Sequence, residues 1–159
     1  MQINHVLQGP VSKQRLRILS TDLTVYQVID IDDASAWPFP LTLNELEDFE
    51  EIDDPFPLPY VQAGSTAEQK RDEAMSAIEY LLENHAQLFE KKTRNQLLKK
   101  AIEKTGRPRL FMVRALRRFW QRGMSPNALV PDYKNCGGGG KPRRKLSQKL
   151  GRKRSVSPG

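Results

Sequence analysis

The hydrophobic pattern of the first 31 residues is that of short strands. The stretch 23–31 is rich in β-branched residues, and turn residues such as Gly9-Pro10 separate the apolar runs before it. Alternation with a period of two predicts half-buried strands, and Gly-Pro pairs mark the turns between them. We therefore expect three strands, near residues 3–7, 16–19 and 23–31, folded as a small meander or barrel.

Two proline-fixed aromatic stretches follow, at residues 37–40 and 55–60. Proline holds the backbone extended and removes a hydrogen-bond donor, so neither stretch is predicted to be helical. The aromatic side chains fit two roles. They pack the small strand module, or they form a docking groove or peptide for a partner protein.

A short helix is predicted between these stretches. Thr42 and Glu45 have the spacing of a capping box, which favours a helix that runs through Phe49. The acidic run 45–54 overlaps it and is expected to form a solvated face. A metal site is the weaker interpretation, because the carboxylates lack a spacing suited to ligation.

A helical period begins after the strand module. Ser65 and Glu68 form a capping box for a first helix within 63–83, and a second helix is predicted over 93–104. The glycine-containing turn 105–108 leads into a third helix, with Pro108 suited to its first position. Three helices with a tight last turn have the order of a helix-turn-helix unit.

The third helix, which Gly123 ends, has two opposed faces. One arc is apolar and consists of Met112, Val113, Leu116, Phe119 and Trp120. The other arc is polar and consists of Arg114, Arg118 and Arg122 at intervals of four, with Arg117 and Gln121 beside them. Like charges four residues apart repel, so an outward row of this kind indicates a polyanion opposite it. After the helix, Pro126 and Pro131 predict an extended path.

In a helix-turn-helix unit, the N-terminal part of the third helix enters the major groove of DNA. Arg107, Arg109 and Arg114 would then lie nearest the base edges. Arg117, Arg118 and Arg122 would lie nearer the phosphates. The residues predicted to contact DNA are Arg107, Arg109, Arg114, Arg117, Arg118, Gln121, Arg122, Lys134, Lys141, Arg143, Arg144 and Lys145. A structural three-helix bundle with a merely soluble basic face remains the alternative.

Charge divides the chain into three blocks. Residues 1–62 carry 3 Lys or Arg against 11 Asp or Glu, residues 63–125 carry 14 against 7, and residues 126–159 carry 9 against 1. An acidic block followed by two basic ones indicates separate modules, and the basic blocks favour a nucleic-acid partner. We therefore expect an acidic β module over 1–62, a DNA-binding domain over 63–125 and a basic linker over 126–159.

The linker is expected to be extended or disordered in the absence of DNA. The glycines 137–140 form a predicted hinge, and the basic residues after it have the composition of tails that order along DNA, in some cases in a minor groove. A phosphate-binding loop is not favoured there, because no Gly-Lys-Ser/Thr follows and no strand precedes the glycines.

The sequence gives no sign of an enzyme or of a bound cofactor. Cys136 is the single cysteine and His5 and His85 are the two histidines, too few for a disulfide or a structural zinc site. No nucleophile, base and orienting acid occur at a recognisable spacing. No apolar run approaches the ~20 residues of a membrane span, and no signal peptide is visible. We expect a cytoplasmic protein with no metal, cofactor, small-molecule substrate or membrane partner.

The stretch 116–135 resembles the N-terminal region of TnsB-type transposases, which are DDE-family subunits related to Mu and TniA transposases. The resemblance rests on LRRFWQRG at 116–123, SPNAL at 125–129 and PDYKN at 131–135. Weaker similarity covers residues 3–6, 16–19, 24–29, 53–56 and 149–152. The glycine run and Cys136 depart from the family pattern.

The resemblance implies a bacterial protein of a mobile element, acting in DNA transposition, recombination and integration. In that family an N-terminal helix-turn-helix binds repeated sites at the transposon ends, and an Asp-Asp-Glu metal site further along cleaves and joins strands. This chain resembles the end-recognition region alone, so we expect an α+β DNA-binding region that is not itself an enzyme. Its expected partners are double-stranded transposon-end DNA and, under the resemblance, other transposase subunits. The alternatives are an adaptor that docks a protein through its acidic β module and a helix-turn-helix transcription regulator.

Overall fold

The computed structural model describes residues 1–133. The predicted hinge and basic tail, with Lys134, Lys141, Arg143, Arg144 and Lys145, lie outside the described residues. Within them, five strands and four α-helices form an α+β fold, which confirms the predicted fold class.

The N-terminal module is an antiparallel sheet with strand order β4-β3-β2-β1-β5. Its strands are β1 (Val6–Gln8), β2 (Arg15–Thr21), β3 (Val25–Asp30), β4 (Phe39–Thr42) and β5 (Glu50–Ile52). The first three correspond to the predicted strands. The other two were not predicted, because β4 contains Pro40 and β5 contains Glu50 and Glu51. Both are edge strands, where a missing donor or an exposed charge is tolerated.

The two faces of the sheet pack against different partners. Leu16, Ile18 and Val28 lie in a small core with Leu46, while Leu19 and Ile29 belong to the core that the helices form. Successive side chains of a strand point to opposite faces, so neighbouring residues of β2 serve two cores. The β module is therefore packed directly onto the helical unit.

The helices follow the capping signals closely. They are α1 (Leu43–Leu46), α2 (Thr66–Glu83), α3 (Lys91–Thr105) and α4 (Arg109–Gln121). The capping box of Thr42 and Glu45 is present, but α1 ends at Leu46 rather than at residue 49. At α2 the Ser65 side chain accepts from the backbone N–H of Glu68, while the Glu68 side chain accepts from the N–H of Gly64 instead of Ser65. Pro108 lies one position earlier than predicted, at the N-cap of α4. Gly106 closes α3 in the left-handed conformation with φ of 67°, and its N–H donates to the carbonyl of Ile102 over 2.8 Å.

The chain after α4 does not follow the predicted extended path. Pro126–Leu129 is a 3-10 turn that contacts α2 and α4, and Ala128, Leu129 and Val130 are buried. Leu129 lies in the main core. The prediction of an extended linker from residue 126 was wrong for this turn, because its apolar residues fold back onto the helices.

Candidate nucleic-acid interface

The apolar arc of α4 is buried as predicted. Met112, Leu116 and Trp120 have no exposed surface, and Val113 and Phe119 are each 8% exposed. Burial of this arc fixes the rotation of α4 about its axis. The opposite arc therefore faces away from the core along the N-terminal half of the helix.

The N-terminal half of α4 and the turn before it present three arginines to solvent. Arg107, Arg109 and Arg114 are exposed, and Leu110 among them is 58% exposed. Arg107 lies 3.8 Å from a carboxylate oxygen of Glu73, an exposed and weak ion pair. Arg109 donates to the side-chain oxygen of Asn95 over 2.8 Å. Within residues 1–133, the side chain of Arg114 makes neither a hydrogen bond nor an ion pair. These guanidinium groups keep donors available for another molecule.

Two arginines of the C-terminal half are instead bound to the chain that follows α4. Arg118 lies 3.1 Å and Arg122 2.7 Å from the same carboxylate oxygen of Asp132. Arg118 also donates to the carbonyls of Ala128 and Val130. The prediction of one row of arginines, all pointing to solvent, is therefore wrong for these two, because the 3-10 turn returns along their side of the helix.

The electrostatics around Asp132 reflect this arrangement. The hydrogen bond from Arg122 lowers the pKa of Asp132, and the charge of Arg118 lowers it further. Burial lowers the pKa of Arg118, with a further decrease from the neighbouring Arg122. Asp132 thus compensates two half-buried guanidinium groups and fixes the chain beyond the 3-10 turn.

Gln121 is not available to DNA in this structure. It is 8% exposed, and its side-chain amide donates to the carbonyls of Asp30 and Asp33 over 2.7 Å each. The backbone carbonyl of Gln121 accepts two hydrogen bonds from the side chain of the fully buried Arg17 of β2, at 3.2 and 3.1 Å. The prediction that Gln121 contacts DNA is corrected: the β module covers this end of α4, so the residue joins the two units.

Arg117 contacts the β module through Trp37. Its guanidinium carbon is 4.3 Å from the ring centroid of Trp37, in the connection between β3 and β4. Burial lowers the pKa of Arg117, and the charge of Asp33 opposes that shift. A groove of about 550 Å³ runs beside it, lined by Ala34, Ser35, Leu110, Arg114, Arg117, Arg118, Gln121 and Arg122.

Two contributors to this surface were missed in the sequence. Asp132 is the single acidic residue of 126–159, close after an arginine-rich helix, and that isolation could have indicated an ion pair. Trp37 had no such signal, because its contact with Arg117 joins residues far apart in the chain.

Among residues 1–133, no group of three or more His, Cys, Asp or Glu could hold a metal ion, and no helix is long and apolar enough to cross a membrane.

A small β module packed on a helical unit with exposed arginines is the arrangement of a DNA-binding region. Residues 1–55 match the family model described as the TnsB N-terminal SH3-like domain, and residues 71–133 match the TnsB second domain. The chain belongs to the TnsB family of transposases and corresponds to its N-terminal region. The family predicted from the sequence is thereby confirmed.

A curated relative gives the same assignment. The chain is 36% identical over 96 residues to the transposon Tn7 transposition protein TnsB of Escherichia coli. That alignment covers 60% of this chain and 14% of the relative, so the match spans a small part of the relative's length. Both matched family models are N-terminal domains, and neither is a catalytic one.

Proposed function

We propose that this chain recognises the DNA repeats at transposon ends in a sequence-specific manner, as the end-binding region of a TnsB-type transposase. The observation that carries the proposal is the exposure of Arg109 and Arg114 on the N-terminal half of α4, and of Arg107 just before it, opposite a buried face. Arginine forms bidentate hydrogen bonds with guanine in the major groove, and these are the commonest specific base contacts.

The geometry supports base recognition by the N-terminal half of α4. In the C-terminal half, Gln121 is already hydrogen-bonded to the β module and Arg118 to the 3-10 turn, so these two side chains are not free to read bases. Helix-turn-helix units insert this same N-terminal half into the major groove. Leu110, exposed beside Arg114, supplies an apolar surface of the kind that contacts a thymine methyl group.

The proposed role is recognition without chemistry. Strand cleavage and joining would be carried out by a catalytic domain elsewhere in such a transposase, and other transposase subunits would meet this region on the DNA. No cofactor is needed for the binding step. The basic residues from 134 onward, outside the described residues, are proposed to add phosphate contacts and a steep dependence of affinity on salt.

A footprint of the whole chain on duplexes that carry candidate transposon-end repeats tests the proposal. We expect protection of the repeats at physiological salt, with at least tenfold weaker binding to a scrambled duplex of the same length. Equal affinity for both duplexes at every salt concentration would contradict sequence-specific recognition.

A protein-binding role for the β module is the second candidate. Leu58 and Tyr60 are 53% and 92% exposed in the segment after β5, next to a groove lined by Phe56 and Pro57. Exposed apolar residues of this kind are used in partner docking. Capture of a transposase subunit by the whole chain, lost in a Leu58→Ser, Tyr60→Ser double variant with unchanged DNA binding, would support it. Unchanged capture by that variant would exclude this segment.

A further inference from the structure

The β module forms one wall of a groove whose other wall is α4. Ala34 and Ser35, in the connection between β3 and β4, face arginines of the helix across a space of about 550 Å³. The arginines on this wall are Arg114, Arg117, Arg118 and Arg122. A groove with four guanidinium groups on one side is suited to a polyanion rather than to an apolar ligand.

The charges of this groove are only partly compensated within the described residues. Asp132 neutralises part of the charge of Arg118 and Arg122. In the connection between β3 and β4, Asp32 pairs with Arg15. Asp33 accepts hydrogen bonds of 2.7 Å from the backbone and hydroxyl of Ser35 and keeps its negative charge, which offsets part of the charge of Arg117. Among the described residues, Arg114 is in no ion pair and Arg117 is only partly compensated, so these two contribute most of the positive potential that a bound anion would meet.

Trp37 contacts two guanidinium groups, of which that of Arg117 lines the groove. The guanidinium carbon of Arg94 lies 4.0 Å from the ring centroid of Trp37, and that of Arg117 lies 4.3 Å from it. Arg94 is 6% exposed and donates to the carbonyl of Leu88 over 3.1 Å. Contact through the flat face of a guanidinium leaves its edge, which carries the donors, free for another partner.

Both guanidinium groups are incompletely hydrogen-bonded. The Nε atoms of Arg94 and Arg117 are buried and have no partner among the described residues. A buried donor without an acceptor is uncommon and costs free energy. The mutual repulsion of Arg94 and Arg117 adds to that cost, and together with burial it lowers the pKa of Arg94. An anion beside Arg117 would reduce the repulsion between the two guanidinium groups.

We propose that the groove between α4 and the β3–β4 connection seats a phosphate of the DNA backbone, that Arg117 is its principal ligand, and that Trp37 is a positioning residue for Arg117. The inference rests on the proposed function, since the phosphate belongs to DNA bound by α4. It assigns the β module a part in DNA binding through a tryptophan that orients an arginine of the helical unit.

Affinity measurements on two duplexes test the phosphate seat, one with the transposon-end repeat and one scrambled. A phosphate contact is blind to sequence, so we expect Arg117→Gln to weaken binding to both by about tenfold and to reduce the salt slope by about one. Lys13→Gln, which removes an exposed charge from the β module, serves as the control and should bind like the parent chain. Parent-like affinity of Arg117→Gln for both duplexes would overturn the proposal.

A double-mutant cycle tests the positioning role of Trp37. Trp37→Leu should weaken binding to both duplexes although no charge is removed, and the Trp37→Leu, Arg117→Gln double variant should bind like Arg117→Gln alone. Additive losses would contradict the coupling. Trp37 also packs edge-on against Trp120, with the ring centroids 6.4 Å apart, so Trp37→Leu also disturbs the core. Arg117→Lys provides a second test that leaves the core intact. It keeps the charge but loses the flat stacking face, and affinity equal to the parent would likewise contradict the role of Trp37.

The same data separate this inference from the proposed function. If the parent chain prefers the end repeat and Arg117→Gln still binds as tightly, only the phosphate seat is wrong. If the parent chain binds both duplexes equally but Arg117→Gln loses affinity for both, the seat stands and sequence-specific recognition fails.

Discussion

The indole Nε1 of Trp120 donates a hydrogen bond of 3.0 Å to Nε2 of His85. Trp120 is fully buried in α4, and His85 lies in the 3-10 turn His85–Leu88 that joins α2 to α3. Nε2 can accept this bond only when it carries no proton. Burial also lowers the pKa of His85 below its ordinary value of 6.5, because the imidazolium form is poorly solvated there.

The stability of the fold should therefore decrease in mild acid. His85 binds a proton more readily in the unfolded chain, so its contribution is complete above the unfolded pKa and is lost as the pH falls from there toward the folded pKa. We expect the free energy of unfolding in urea to be lower at pH 5 than at pH 7.5. His85→Gln keeps an acceptor that does not titrate, and the difference between the two proteins isolates the contribution of His85. The same decrease in both proteins would contradict this role of His85.

Arg17 should be essential for the packing of the β module on α4. Its side chain is fully buried, donates to the carbonyls of Gln121 and Asn4, and pairs with Asp54 over 2.8 Å. Arg17→Met leaves these acceptors without their donor and should destabilise the fold by about 3 kcal/mol in urea unfolding.

Arg15 on the same strand provides the matched control. It pairs with Asp32, but both side chains are substantially exposed, at 32% and 45%. An exposed ion pair contributes little, so Arg15→Met should cost less than about 1 kcal/mol. Equal losses of unfolding free energy in the two variants would contradict the claim that burial makes Arg17 important for stability.

Asp132 is expected to moderate DNA binding. It occupies Arg118 and Arg122, which would otherwise offer their donors to phosphates. Asp132→Asn should raise affinity for random duplex DNA and steepen the dependence of log affinity on log salt by about one. Asp48→Asn removes an exposed charge away from α4 and should have a smaller effect on both quantities. Weaker binding by Asp132→Asn would mean that Asp132 serves DNA binding by holding the chain after α4 in place.

Local patterns predicted most of the helical unit, because its signals are short-range. The alternation of apolar and charged residues predicted which arc of α4 is buried, and the capping residues Ser65 and Thr42 predicted two helix starts. The edge strands escaped prediction for a physical reason. Pro40 and the paired glutamates of β5 disfavour a strand in isolation, and only their neighbours in the sheet make them part of one.

The candidate site was predicted only in its exposed half. Arg109 and Arg114 lie outward as the helical period requires, and Arg107, in the turn before the helix, is also exposed. The same period assigned Arg118 and Gln121 to solvent, because periodicity cannot show which distant segment returns over a helix. The partner of Gln121 is more than 80 residues away, at Asp30 and Asp33, and that contact follows from the packing of the whole chain.

The specificity of the Arg114→Gln variant tests the central claim most directly. Its affinity for a transposon-end repeat and for a scrambled duplex is measured beside that of the charge-matched Lys13→Gln variant. A base contact by Arg114 predicts a loss of about 1–3 kcal/mol on the repeat, a clearly smaller loss on the scrambled duplex, and parent-like binding by Lys13→Gln. Equal losses on the two duplexes, or none on either, would contradict recognition of bases by the N-terminal half of α4.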